Sequence, residues 1–186
     1  MALKARPLRL VVTGVESTGK TTLARAIAQH FGFPLALEVA RFDQAVRHGN
    51  LEAHDLDRLA ELQFNAALEA EQRALKSRAG GLISDTGGLV LEIWGTTAFE
   101  TVPKGSRDLQ RWFDFYILCT PDIPWEPDPL RSLPQREDRM ALHQAYIQRL
   151  DEGAYHWVET QGSAPKERFL SIVQAIEMAM KRHINE

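Results

Sequence analysis

Gly14-Val15-Glu16-Ser17-Thr18-Gly19-Lys20-Thr21-Thr22 is the stretch that decides the fold. It fits the phosphate-loop pattern G-x4-G-K-[ST]. Two glycines let the backbone curl so that its N–H groups face one anion. A helix starting at Lys20 would point its positive dipole end at the same place. Lys20 can then reach the β and γ phosphates, and the Thr21 hydroxyl can ligate a divalent cation. Immediately upstream, Leu8–Thr13 (LRLVVT) is a short apolar run of strand character. Downstream, Leu23, Ile27 and Phe31 recur at helical spacing until Gly32. Strand, glycine loop and helix in that order give the motif its structural context.

The same alternation continues outward. Pro34–Val39 reads as a second strand and Asp55–Ser77 as a long amphipathic helix, with Leu56, Leu59, Ala60, Gln63, Ala67 and Ala70 on one face. Gly80-Gly81 breaks it, and Leu82-Ile83-Ser84 leads to Asp85 as a third strand. Thr86–Trp94 is expected to be helical, and Phe113–Cys119 to be a fourth strand. Pro121–Pro134 carries five of the nine prolines and is a loop. Arg136–Leu150 reads as helix, Tyr155–Glu159 as a fifth strand, and Lys166–Met180 as the last helix. Alternation without hairpin signals predicts an α/β, three-layer P-loop fold of the nucleoside-kinase type. It has a five-stranded parallel sheet and a lid over about 121–138.

The composition sets limits on class. With 186 residues, 44% hydrophobic and 25% charged, the chain is expected to form one globular domain, 1–186. A formal net charge of −3 gives no basic field for nucleic acid. No run is long enough to span a membrane. The single cysteine, Cys119, sits inside an expected strand and reads as core. The expectation is a cytoplasmic protein without nucleic-acid or membrane partners, for which a homo-oligomer is allowed.

A P-loop specifies nucleotide, not reaction. The chain is short for an AAA-type motor, and the Asn-Lys-x-Asp of GTPases follows no expected strand. A Pro-rich, Arg-bearing segment late in the chain suits a small-molecule kinase, in which a closing lid excludes water. Asp85, at a strand end, is placed as a Walker B acid for Mg²⁺. Glu38, across the crevice, could accept a proton from a hydroxyl or bind ribose, with Arg41 beside it. Arg131 and Arg136 are read as lid guanidiniums that neutralise the transferring phosphoryl. Arg139, in the same cluster beside Glu137 and Asp138, could act likewise or be a solvated surface charge. Asp128 binds a sugar hydroxyl or shapes a turn. Gln63, Phe64 and Trp94 are candidates for recognising a base. Trp125 is read as a packing anchor.

These pieces together resemble the ribosylnicotinamide kinase domain of the NadR proteins and their stand-alone AAA-domain relatives. The similar stretches are Gly14–Leu23, Glu38-Val39-Ala40-Arg41, Asp85-Thr86, Pro121-Asp122-Ile123-Pro124-Trp125…Asp128…Arg131, and Glu167-Arg168. The resemblance implies MgATP and transfer to the 5′-hydroxyl of nicotinamide riboside, a nucleoside-like acceptor. Lys20, with Gly14, Glu16, Ser17, Thr18, Gly19, Thr21 and Thr22, would hold the nucleotide. Thr21 and Asp85 would hold the metal, and Gly162 and Pro165 would flank adenine. Three positions depart from the family: Leu37 replaces an aromatic, Phe64 stands where a Tyr occurs, and Gly87 replaces a second acid. Other readings are a kinase of another nucleoside or small hydroxyl compound, and a nucleotide-dependent switch or partner-binding ATPase.

Overall fold

The computed structural model describes residues 6–127 and 133–185. Its centre is a five-stranded, wholly parallel sheet of order β2-β3-β1-β4-β5. The strands are β1 (Leu8–Thr13), β2 (Leu35–Ala36), β3 (Gly81–Asp85), β4 (Phe115–Leu118) and β5 (Trp157–Glu159). The helices are α1 (Lys20–Phe31), α2 (Gln44–Arg47), α3 (Ala53–Ser77), α4 (Gly88–Phe99), α5 (Ser106–Trp112), α6 (Arg136–Glu152) and α7 (Pro165–Asn185).

Period-two alternation along β1 builds the three layers. Leu8, Leu10 and Val12 pack on one face with Leu23, Ala24 and Ile27 of α1 and Ile172 and Ile176 of α7. Val11 points the other way, among Leu89 and Ile93 of α4, Leu109 of α5, and Tyr146 and Leu150 of α6. On the edge, α3 covers Ala36 and Leu82 with Ala70 and Ala74. Registers align the strand ends that matter: Val12 lies opposite Asp85 on one side and Ile117 on the other. Among the described residues no helix is long and apolar enough to cross a membrane.

Four expectations from the sequence change. The second strand is only Leu35–Ala36, because the chain leaves the sheet at Leu37 and enters a 3₁₀ turn over Val39–Phe42. Glu38 is therefore the cap of that turn rather than a strand end. The helix expected from Thr86 begins at Gly88, since Thr86 has φ 77 and Gly87 is extended. A Cβ on Gly88 would meet the Ser106 carbonyl at 1.9 Å, so this start depends on close packing against α5. Helix α5, which no periodicity announced, lies between α4 and β4.

Candidate active site

The loop from Gly14 to Gly19 joins β1 to α1 at the carboxyl end of the sheet, where ligands of parallel α/β sheets bind. Gly14 has φ 129, and a Cβ there would lie 2.8 Å from the Cys119 carbonyl, so no other residue fits. Ser17 takes a left-handed conformation (φ 56) and Gly19 another (φ 75). The Thr18 hydroxyl donates to the Val15 carbonyl at 2.7 Å and braces the curl. Lys20 folds back over it, its Nζ donating to the carbonyls of Gly14 (3.0 Å) and Val15 (2.8 Å).

Asp85, at the end of β3, is 1% exposed. Burial raises its carboxyl above the ordinary aspartate range. The nearby Thr21 hydroxyl and the charges of Lys20, Arg41 and Arg25 pull it partly back. Its Oδ1 is buried and has no hydrogen-bond partner among the described residues. An unpartnered carboxylate oxygen beside a threonine hydroxyl is the donor set a hard divalent cation takes, so these two residues fit Mg²⁺.

Glu38 is held in place from behind. Gln63 of α3, 2% exposed, donates from Nε2 to the Leu37 carbonyl at 3.2 Å and accepts from the Val39 N–H at 3.0 Å. The same Nε2 reaches the Ser84 hydroxyl at 3.2 Å. Arg41 Nε donates to Glu38 Oε2 at 2.7 Å. Burial also raises the Glu38 carboxyl, opposed by Lys20 and Arg41 and assisted by the charge of Asp85. Lys20 thus faces two desolvated carboxyl groups, one at the end of β3 and one at the cap of the 3₁₀ turn.

Two cavities meet at Lys20. One of about 320 Å³ is lined by Ser17–Thr22 with Arg25 and Arg41. The other, of about 820 Å³, starts at Gly14, Glu16, Lys20 and Glu38. It runs between apolar walls from Val46, Leu51, Val90, Ile93, Trp94, Phe99 and Leu142, with Tyr146 at its side. The first is polar and basic and the second is mostly apolar, as a phosphate site and an acceptor site would be.

The Pro-rich segment is tied to the phosphate loop. Glu16 Oε1 accepts from Trp125 Nε1 (3.0 Å) and from the Leu133 N–H (2.7 Å). The Ser17 hydroxyl accepts from the Glu126 N–H at 3.1 Å. Trp125, read as a packing anchor, is half-buried and clasps the loop through its indole hydrogen bond. From the other side Arg168, 3% exposed, donates to the carbonyls of Thr18 (3.1 Å), Thr120 (2.9 Å) and Gly162 (3.0 Å) and pairs with Asp122.

The structure brings Lys20, Thr21, Glu38, Arg41 and Asp85 together, and Trp94 lines the larger cavity. The Gln63 amide serves the backbone on either side of Glu38. Phe64 packs edge-on against Trp112 at 5.7 Å and lines neither cavity, because α3 turns that position towards α5. Arg136 is exposed at the first residue of α6 and also lines neither. Gly162 (φ 90) and Pro165, the first residue of α7, sit beyond both cavities. Asp128 and Arg131 lie outside the described residues. Arg139, read as a lid guanidinium or a solvated charge, is 4% exposed and lines neither cavity. Sequence reading missed Arg25 and Tyr146. Arg25 stands four residues after Thr21 on α1, a spacing that puts both on one face. Tyr146 had no comparable signal.

A protein-family model described as AAA domain matches residues 9–168. Adenylate kinase isoenzyme 6 homolog of Caenorhabditis elegans is 32% identical over 115 residues, 62% of this chain and 53% of that protein. The chain thus spans about half the length of that relative. A crystal structure of NadR protein in complex with NR superposes with TM-score 0.63 at 21% identity, covering 97% of this chain and 52% of that one. Deoxyadenosine kinase from M. mycoides gives TM-score 0.54 at 15% identity, covering 92% and 99%. The fold anticipated from the sequence, and its likeness to NadR, are borne out at the level of architecture.

Proposed function

The chain belongs to the AAA domain family, and from that membership and its two-cavity site we propose that it is an MgATP-dependent kinase acting on the 5′-hydroxyl of nicotinamide riboside. One observation carries the reading: Lys20 stands where a basic phosphate cradle opens into an apolar cavity, with Glu38 across from it. A hydrolytic switch has no use for a deep apolar cleft beside its phosphates. A kinase needs one to hold an acceptor and keep water out.

The residues divide the work. The loop N–H groups and Lys20 hold the phosphates, and Lys20 leaves its two carbonyl partners to do so. Thr21 and Asp85 would hold the magnesium ion, which supplies charge neutralisation at the β and γ phosphates when bound. Glu38 takes the proton of the attacking hydroxyl. Its carboxyl is raised by burial, which brings its basicity closer to the task. Most of the rate gain comes from positioning and fixed charge. Trp94 and Tyr146 are the rings placed to flank a heteroaromatic group in the larger cavity. The position before Glu38, where the family pattern has an aromatic, is Leu37. It is 42% exposed and lines neither cavity.

That departure favours a second reading, a kinase for another nucleoside whose ring is recognised by Trp94 and Tyr146 alone. The test is ADP release from MgATP by the purified protein, first without acceptor, then with nicotinamide riboside and a nucleoside panel. Stimulation by nicotinamide riboside alone supports the first reading. Stimulation by a different nucleoside supports the second. Steady hydrolysis indifferent to every acceptor would overturn both and leave a switch ATPase.

A further inference from the structure

Glu16 is the only acidic side chain between Gly14 and Thr22, and the phosphate-loop pattern does not call for it. A carboxylate has the wrong sign to hold a polyphosphate. Its Oε1 instead accepts two hydrogen bonds from far along the chain, from Trp125 Nε1 at 3.0 Å and from the Leu133 N–H at 2.7 Å. Beside it the Ser17 hydroxyl accepts from the Glu126 N–H at 3.1 Å. Residues 109 to 117 positions away thus converge on two neighbours in the loop.

The loop is the fixed side of this junction. The Val15 carbonyl takes both the Thr18 hydroxyl and Lys20 Nζ. Gly14 packs against the Cys119 backbone, and Ser17 is held left-handed at φ 56. With the backbone set on both sides of Glu16, Trp125 and Leu133 take their places from it. Leu133 matters to the site, because it lines the larger cavity together with Glu16, Leu142 and Tyr146 and packs on the core around Tyr146. Pro134 follows it and has no N–H, so the Leu133 amide is the group that ties this backbone to the loop.

We propose that Glu16 is a positioning residue: it ties Trp125 and Leu133 to the phosphate loop and so sets one wall of the larger cavity from the nucleotide side. The tie stands on geometry alone. Its consequence for acceptor affinity rests on the kinase reading. Both donors are neutral N–H groups, so the position needs an acceptor oxygen and not a negative charge. A proton acceptor or a metal ligand would need the charge.

The test uses the full chain and four variants: Glu16→Ala, Glu16→Gln, Trp125→Phe, and Glu16→Ala combined with Trp125→Phe. The first readout needs no activity. The Trp125 indole N–H resonance, identified by its loss in Trp125→Phe, should move upfield in Glu16→Ala and stay closer to its wild-type position in Glu16→Gln. The second readout is steady-state kinetics with MgATP and nicotinamide riboside, or the nucleoside that stimulates ADP release most. Glu16→Ala should raise the acceptor KM about tenfold, the lower end for losing hydrogen bonds to a charged oxygen. The KM for ATP should stay within about twofold of wild type. Glu16→Gln, which keeps an acceptor oxygen, should recover much of the loss. Trp125→Phe removes one donor and should raise the acceptor KM less. The double variant should be no worse than Glu16→Ala, because the bond it removes is already gone.

An indole resonance that stays in place in Glu16→Ala overturns the proposal, as does a Glu16→Gln variant as impaired as Glu16→Ala. A double variant worse than Glu16→Ala alone also overturns it and makes Glu16 a direct contact of the acceptor. An ATP KM that rises with the acceptor KM does the same in favour of a general loss of structure. If Glu16→Ala does not fold, the other two single variants decide: Glu16→Gln must keep the indole resonance near its wild-type position and Trp125→Phe must raise the acceptor KM alone, and failure of either overturns the tie. A wild type without acceptor-stimulated turnover refutes the kinase reading instead, and the indole resonance then decides the tie by itself.

Discussion

Replacing Gln63 with Leu tests how Glu38 is held. The substitution preserves most of the volume of a side chain that is 2% exposed, so packing changes little. It removes three hydrogen bonds: to the Leu37 carbonyl, from the Val39 N–H and to the Ser84 hydroxyl. At about 1 kcal/mol each the loss is roughly 3 kcal/mol, reduced towards 2 where water reaches the exposed Leu37 backbone. For a domain of this size that is a fall in Tm of roughly 5–10 °C. Glu38 lies between the two backbone groups released, so its carboxylate loses its position. A displacement of about 1 Å can cost about 100-fold in rate. The phosphate loop is on a separate segment and should be unaffected. Urea unfolding and steady-state kinetics with ATP and acceptor varied independently provide the assay. The expected result is a kcat lower by tenfold or more, with KM for ATP within about twofold of wild type. An unchanged kcat would refute the positioning argument. Unchanged stability with a raised acceptor KM would instead make Gln63 a direct reader of the acceptor, as its sequence position first suggested.

Other perturbations separate the parts of the site. Lys20→Ala should lower ATP turnover by about three orders of magnitude while leaving the circular-dichroism spectrum intact; near-normal turnover would remove Lys20 from the mechanism. Gly14→Ala places a Cβ 2.8 Å from the Cys119 carbonyl, so nucleotide binding measured by calorimetry should be lost, and retained binding would show that the loop tolerates a different curl. Because burial raises the Glu38 carboxyl, the folded state favours its neutral form. That contribution is full below the ordinary glutamate range and is lost as pH rises through the raised value. Glu38→Gln should therefore be more stable than wild type at neutral pH, with the difference shrinking towards acid pH in denaturant titrations. A difference that grows on acidification contradicts the sign of the shift.

The parts legible in the sequence are those carried by local pattern. The phosphate loop, its flanking strand and helix, and the apolar face of α3 follow from residue spacing within one element. The placement of Asp85 follows from one strand ending. What the sequence hid is set by partners far along the chain. Glu16 meets Trp125 across 109 positions and Arg168 meets Thr18 across 150, and no periodicity encodes either meeting. Gln63 sits on the buried stripe of α3 at the right phase, but its role depends on the chain turning out of the sheet at Leu37. Arg139 and Arg136 are three residues apart in a charged stretch, and only the packing of α6 puts one inside and the other in water. Helix α5 is short and lacks a clean apolar period. It is defined by its fit against Gly88 rather than by its own sequence.

The polar groups buried at this end of the sheet share a physical character. Glu38 and Asp85 are carboxyl groups that burial pushes away from their charged forms, and Arg139 is a buried cation with no carboxylate beside it among the described residues. Elsewhere the buried guanidinium of Arg168 pairs with Asp122 and donates to three carbonyls from its two terminal nitrogens, and Arg9 is paired with Glu71 at 2.7 Å and stacked on Trp112. An unpartnered carboxylate oxygen in a ligand crevice is a departure from polar satisfaction of the kind a functional site carries. The signs in this crevice are complementary to one ligand. A divalent cation would relieve Asp85 and a polyphosphate would meet Lys20, while Glu38 is the group left facing the acceptor. Binding energy at such a site comes from charges the fold has already desolvated and fixed, so little reorganisation is needed when the nucleotide arrives. The desolvated carboxyls facing Lys20 therefore narrow the chemistry further than the loop motif does, because many unrelated reactions share that motif.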